Sequence, residues 1–294
     1  MEDNFNQIDV TEKDTSNSSA RVYVNVLEPA DPNFNLENKG GLITKHRLTF
    51  NPATTGMSYK ERLSLTYEAF GWVCYADSIS DYINVLSENN NKDIQAEVTE
   101  LLEHVLMLRR NAKIERLIAR SSISKAELYA PYDSSKINFA TNIDLWSLSW
   151  AEAGANMFIS GSGGTGKTST AVQFARRAIT EKGYSVYRVC STDLFKALRD
   201  LSRCEKAFRR ASEVDILILD DVGFEDHYQG KTDDLHKLLD YRMRTGFPTV
   251  ITTQKGIKAW IKMFDDPDLF KSTIGKFLDK SYILDFSGTP FYKR

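Results

Sequence analysis

The sequence predicts an α/β protein built on a parallel, doubly wound sheet, and three observations point to it. A short apolar run at residues 156–159 breaks into a glycine-rich turn, SGSGGTGKTS, and then into a helical pattern over 169–181. Apolar runs at 185–189, 215–219, 249–252 and 282–285 follow, separated by helical stretches, the alternation that builds parallel sheets. The third of these five strands contains Ile-Leu-Ile-Leu at 216–219, the unbroken apolar run expected of a strand buried on both faces. Ligands of such sheets sit beyond the carboxyl ends of the strands, where the glycine-rich turn lies.

That turn reads as a phosphate-binding loop. Gly161, Gly166, Lys167 and Thr168 fit the spacing G-x-x-x-x-G-K-[ST]. Its glycines let backbone N–H groups curl around an oligophosphate, so Gly161, Ser162, Gly163, Gly164, Thr165, Gly166, Lys167, Thr168 and Ser169 are the expected nucleotide contacts. Lys167 would reach the terminal phosphates and the Thr168 hydroxyl would bind Mg²⁺, with the positive end of the following helix facing the phosphates. A glycine turn with a purely structural role would not need Lys167 and Thr168 at these positions.

The third strand ends in Asp220-Asp221, a Walker B candidate. Asp220 would hold Mg²⁺ with Thr168, and Asp221 would orient and polarise an attacking water. Two acids capping a strand are common in loops, but less so downstream of a phosphate loop. The fourth strand ends in Thr252-Thr253-Gln254, so Gln254 or Thr253 is placed to sense a γ-phosphate. Lys276, in the helix before the fifth strand, is either a surface lysine or a further cation for the nucleotide, in its own subunit or a neighbour's.

Composition bounds the rest. With 294 residues, 41% hydrophobic and 27% charged, the chain is globular, and its net charge of -2 gives no overall nucleic-acid signature. No apolar run approaches the roughly 18 residues of a membrane span, and MEDNFNQ is no signal peptide. Cys74, Cys190 and Cys204 are widely separated and the four histidines show no ligand spacing, so a metal cluster or disulfide framework is not expected and a reducing cytoplasm is the default.

Residues 1–56 are polar and punctuated by proline and glycine, with strand-like character only at 21–27 and 42–50, and are expected to form a flexible extension. Residues 57–126 turn helical, with Ser58 and Glu61 spaced as a capping box and Leu63, Tyr67, Phe70 and Val73 on one face. Further helices are expected at 80–86 and 94–118. The last of these becomes basic, with Arg109, Lys113, Arg116 and Arg120 on one side against a single acid, Glu115. That side is either a solvated face or a contact for nucleic-acid phosphates. Residues 127–294 hold the sheet. Within them, 192–210 reads as one helix with Lys196, Arg199 and Arg203 on one side and Leu194, Phe195, Leu198, Leu201 and Phe208 on the other.

From about Lys60 onward the chain resembles the IstB family of transposition-helper ATPases and, more distantly, the DnaC/DnaI helicase loaders, all AAA+ proteins. The resemblance rests on LRRNAKIERLIARS, ANMFISGSGGTGKT, GYSVYRVCSTDLFKAL, DILILDDVGF, YRMRTGFPTVITTQ, Trp260, and DPDLFKSTIGKFLDKSYILDFSGTPFYKR. It implies a P-loop AAA+ sheet without a C-terminal helical lid, preceded by a small helical domain, and ATP with Mg²⁺ as ligands. It also implies an ATP-state homo-oligomer on DNA, duplex in the first instance, whose partner is a transposase or, in the alternative, a replicative helicase. The 192–210 helix, with Lys196, Arg199 and Arg203, would then line the channel around that DNA. A small-molecule kinase is the weaker reading, since no acceptor motif is evident. Relatives typically carry Ser-Asn where Thr253-Gln254 stand, Arg where Lys276 stands, and, among helicase loaders, Arg where Ser272 stands; many carry Glu at Asp221. These departures imply slow or partner-stimulated hydrolysis.

Overall fold

Apolar strands and amphipathic helices assemble into one six-stranded sheet in the computed structural model, which describes residues 21–24, 57–72, 76–90, 94–132, 144–224 and 230–286. The strands are β1 (Arg21–Val24), β2 (Asn156–Gly161), β3 (Val186–Cys190), β4 (Ile216–Val222), β5 (Thr249–Thr253) and β6 (Ser281–Phe286). Their spatial order is β1-β6-β2-β5-β4-β3. β2 to β6 run parallel and correspond to the five apolar runs, while β1 pairs antiparallel along β6 with Arg21 opposite Asp285. β1 falls within the strand-like stretch 21–27; the stretch 42–50 lies outside the described residues.

The helices are α1 (Tyr59–Phe70), α2 (Ala76–Asn90), α3 (Ile94–Arg120), α4 (Lys125–Leu128), α5 (Ser149–Glu152), α6 (Lys167–Thr180), α7 (Ser191–Arg199), α8 (Cys204–Glu213), α9 (Lys231–Thr245), α10 (Ile257–Trp260) and α11 (Pro267–Leu278). Ser58 and Glu61 form the capping box that starts α1. α1, α2 and α3 share an apolar cluster of Leu63, Tyr67 and Ile83 with Val98 and Leu102 against it. α3 is long, about 40 Å at 1.5 Å per residue, and its far end enters a different core. There Ile118 joins Ile123, Leu128, Trp150 and the α6 residues Phe174 and Ala178 on one face of the sheet. The other face is covered by Phe195, Leu239, Trp260, Ile274 and Phe277. β4 feeds both layers by strand alternation: Ile216 and Ile218 point to the first, Leu217 and Leu219 to the second.

Residues 192–210 are not one helix but two, α7 and α8, separated by a turn. Asp200 takes an extended conformation, its carboxylate accepts the Ser202 N–H at 2.9 Å, and its carbonyl accepts the Arg203 N–H at 2.8 Å. A short acid that bonds its own backbone two residues on competes with helix continuation. Leu201, expected on the sheet, is therefore at the tip of the turn and 95% exposed. Leu194 and Phe195 are buried as expected, with Leu198 and Phe208 packed partly against them.

At the amino ends of the strands a fully buried arginine closes the sheet. Arg242, in α9, donates to the carbonyls of Ala211 (2.9 Å), Ser212 (3.1 Å), Val214 (2.9 Å) and Pro248 (2.6 Å) and to the Thr249 hydroxyl (2.9 Å). It joins the end of α8 to the starts of β4 and β5. Burial pushes its pKa down, and the Asp215 carboxylate opposes that shift. Arg242→Ala should lower stability by at least about 3 kcal/mol, because several buried carbonyls lose their donor. Arg242→Lys should not restore it, since an ammonium cannot span these acceptors. A denaturant midpoint within error of the parent for Arg242→Ala would refute the assignment.

Candidate nucleotide-binding site

The glycine-rich loop leaves the central strand β2 and runs directly into α6. Only glycine fits its first position: Gly161 has φ +143°, and a Cβ there would lie 2.5 Å from the Phe286 carbonyl oxygen of β6. The loop closes on itself, with Lys167 Nζ donating to the Ser162 carbonyl at 2.7 Å and the Thr165 hydroxyl donating to the same carbonyl at 2.9 Å. Lys167 is 5% exposed. Burial pushes its ammonium below the ordinary lysine range, while the carboxylates of Asp221 and Asp220 pull it back up. Among the described residues the ammonium bonds one carbonyl, that of Ser162.

Asp220 is the centre of the site. It is 3% exposed, and both of its oxygens are engaged. Oδ1 accepts the hydroxyls of Thr168 (3.0 Å) and Thr252. Oδ2 accepts Nε (2.9 Å) and Nη2 (2.8 Å) of Arg188. Thr168 and Asp220 come together as the two motifs predict, and their hydroxyl and carboxylate oxygens are the hard donors that suit Mg²⁺. Asp220 and Asp221 lie within β4 rather than beyond it, because pairing with β5 continues past an irregularity between Leu219 and Val222. Asp221 has φ +53°; its N–H donates to the Thr252 hydroxyl at 2.9 Å and its carbonyl accepts the Ser191 hydroxyl at 3.0 Å.

At the end of β5 the two sensor candidates separate. The Thr253 hydroxyl is buried and committed, donating to the Val222 carbonyl at 2.7 Å and accepting the Trp260 indole N–H at 3.1 Å. Gln254 is exposed, and its Oε1 lies 3.2 Å from where a Cβ on Gly163 would be, so its amide overlies the phosphate loop. Lys276 is exposed on α11, whose Phe270, Ile274 and Phe277 are buried. It forms no hydrogen bond or ion pair among the described residues.

The other basic residues lie outside this site. Lys196 and Arg199 are exposed on α7. Arg203 is exposed in the turn, 3.3 Å from Asp200, so its spacing to the other two is not helical. Arg109, Arg116 and Arg120 are exposed on α3 and Lys113 is half-buried; Arg109 also lies over the Phe70 ring, 5.1 Å from its centroid. Glu115 pairs with Lys125. Arg210 is structural: it donates to the Arg120 carbonyl and the Ser122 hydroxyl, both at 2.9 Å, and lies over the Tyr187 ring.

Sequence reasoning missed Arg188 and Thr252. Arg188 also donates Nη1 to Glu127 of α4 at 2.8 Å. Burial opposes the charge of Arg188, but Asp220 and Glu127 overcome it and raise its pKa. The Arg188 and Ser124 hydrogen bonds hold Glu127 down at about 2. The available signal was a charged residue in the middle of an otherwise apolar strand, Val-Tyr-Arg-Val-Cys.

A family model described as IstB-like ATP binding protein matches residues 76–294. The chain belongs to that family. It is therefore an ATPase of the IstB-like type. A Mycobacterium tuberculosis protein named for ATP binding and an insertion sequence is 26% identical over 203 residues, covering 66% of this chain and 79% of that one. A Geobacillus stearothermophilus protein named for ATP binding and insertion sequence IS5376 is 24% identical over 241 residues, covering 80% and 92%. A crystal structure of DnaI superposes with a TM-score of 0.48 at 18% identity, covering 60% of this chain and all of that one.

Lys167→Ala should reduce ATP affinity below detection in a fluorescence titration while the far-ultraviolet circular dichroism stays unchanged. Retained affinity would remove Lys167 from the phosphate site.

Proposed function

We propose that this ATPase assembles as a homo-oligomer on duplex DNA in its ATP- and Mg²⁺-bound state and presents that DNA to a transposase. The observation that carries the reading is the recurrence of insertion-sequence ATP-binding proteins among its relatives. In this reading Thr168 and Asp220 would hold Mg²⁺, which would supply charge neutralisation at the nucleotide's phosphates. The loop N–H groups and Lys167 orient the phosphates. Asp221 accepts the proton of the attacking water, and Gln254, lying over the loop, senses the γ-phosphate.

Two basic clusters supply DNA contact: Lys196, Arg199 and Arg203 on α7 and its turn, and Arg109, Lys113, Arg116 and Arg120 on α3. The end of α3 is fastened to α8 by the bond from Arg210 to the Arg120 carbonyl. Phosphate contact needs clustered cations rather than a particular helix, so the break at Asp200 leaves this role open to all three residues. Lys276 is the cation available to a neighbouring subunit's nucleotide. ATP then favours assembly because a neighbour's contacts are strongest when the γ-phosphate is present, and hydrolysis releases the assembly.

Sedimentation with duplex DNA tests the reading: an oligomer is expected with a non-hydrolysable ATP analogue and not with ADP. The same species in both nucleotides would overturn it. Asp221→Asn should bind ATP and Mg²⁺ yet remain in the assembled state; normal turnover would exclude Asp221 as the base. Replacing Lys196, Arg199 and Arg203 by Gln together should weaken DNA binding for every sequence and flatten its salt dependence, by about 0.9 in the log–log slope per lost contact. An unchanged slope would mean that these side chains face elsewhere.

A further inference from the structure

The carboxylate placed to hold the metal is already held by a cation. We propose that Arg188 sets the divalent-cation affinity of the nucleotide site by competing for Asp220, and that Glu127 sets how strongly it competes. This rests on the nucleotide-site reading above.

Arg188 takes Oδ2 of Asp220 with two N–H groups, at 2.9 and 2.8 Å, while the hydroxyls of Thr168 and Thr252 share Oδ1. A cation approaching this buried carboxylate must share it with a guanidinium that already bonds it, and like charges at that distance from a buried group are poorly screened. The half-buried guanidinium of Arg188 is flanked by opposite charge on two sides, the buried Asp220 on one and the half-exposed Glu127 on the other. Each of those carboxylates draws the guanidinium toward itself. Strengthening the hold of Glu127 loosens the hold on Asp220.

Glu127 belongs to the segment that ends the N-terminal helices. It closes the capping box of α4, with Ser124 N–H and Oγ donating to it at 3.0 and 2.8 Å. The backbone of the same segment is bound to the sheet edge, since Arg188 N–H donates to the Ser121 carbonyl at 2.9 Å. Arg210 fastens Arg120 and Ser122 beside it. One residue, Arg188, thus connects the position of the N-terminal helices to the carboxylate of the metal site. Arg188 is a positioning residue, acting on the cation through Asp220. A partner that shifts residues 120–127 would change cation affinity without touching the nucleotide.

The test measures Mg²⁺ dependence in the full chain. Binding of a fluorescent ATP analogue is titrated at a series of Mg²⁺ concentrations, and binding of Mn²⁺ without nucleotide is read by electron paramagnetic resonance. Arg188→Gln should lower the half-saturating Mg²⁺ concentration about tenfold, the scale on which residues bonded to metal ligands act, and should bind Mn²⁺ more tightly. Glu127→Gln should move both in the opposite direction, and Arg188→Lys should fall between Arg188→Gln and the parent. Unchanged cation dependence in both variants, or shifts of the same sign, would overturn the inference. Should Arg188→Gln fail to fold, Glu127→Gln decides alone, because Glu127 lies at a half-exposed position and an unmoved Mg²⁺ dependence there refutes the coupling. A parent chain that binds no nucleotide at any Mg²⁺ concentration would overturn the nucleotide-site reading itself, whereas normal binding with unmoved cation dependence overturns only this inference.

Discussion

A carboxylate with almost no access to water must have its charge met by the protein, and the arrangement around Asp220 follows from that requirement. Its partners come from three directions: Thr168 from α6, Thr252 from β5 and Arg188 from β3. The strand order β2-β5-β4-β3 places β5 and β3 on either side of β4, so both neighbours can supply a side chain to the same oxygen pair. Thr252 contributes twice, donating to Asp220 and accepting the N–H of Asp221. The carboxyl end of the sheet is thus held by polar bonds that converge on one atom group, and the phosphate loop is tied to it through Thr168.

The opposite end of the same strand has the inverse arrangement. There the buried charge is positive, and Arg242 is met by carbonyls from α8, the start of β4 and the start of β5. β4 is therefore fixed at its amino end by a cation surrounded by dipoles and at its carboxyl end by an anion surrounded by donors. Between them Ile216 to Leu219 need only alternate between two apolar layers. A strand fixed at both ends holds its final acids at defined positions relative to the loop across β5.

How much of this could be read in the sequence depends on whether the signal is local. The phosphate loop, the five parallel strands and the Ser58–Glu61 cap were legible because each is encoded within a few consecutive residues. The contact of Thr168 with Asp220 was legible because each belongs to a local motif expected at the same end of the sheet. Arg188 and Arg242 were not: a charge within an apolar strand marks Arg188 as needing a partner without saying which, and an arginine on a helix carries no mark of the carbonyls that bury Arg242. The 192–210 stretch was misread because the apolar spacing continues through Leu201, while the competing Asp200 turn depends on a side chain bonding its own backbone. The spacing of Lys196, Arg199 and Arg203 looked helical for the same reason.

Asp221 shows how a departure from the family pattern can have a local cause. In the family pattern that the sequence resembles, Glu is common where Asp221 stands, and Asp has the shorter reach. In this fold the residue sits at φ +53°, in the left-handed region, where the strand is irregular between Leu219 and Val222. Asp and Asn are several-fold enriched in that region, because a short polar side chain tolerates it best. The strain is held from both sides, by the Thr252 hydroxyl on its N–H and the Ser191 hydroxyl on its carbonyl. A left-handed residue also leaves the strand in a different direction from an extended one, so the shorter reach of Asp is accompanied by a change in where the side chain starts. Its charge is close enough to raise the pKa of Lys167 more than that of Asp220 does. At a left-handed position the short side chain of Asp is the one that the backbone tolerates best, and its charge still reaches Lys167.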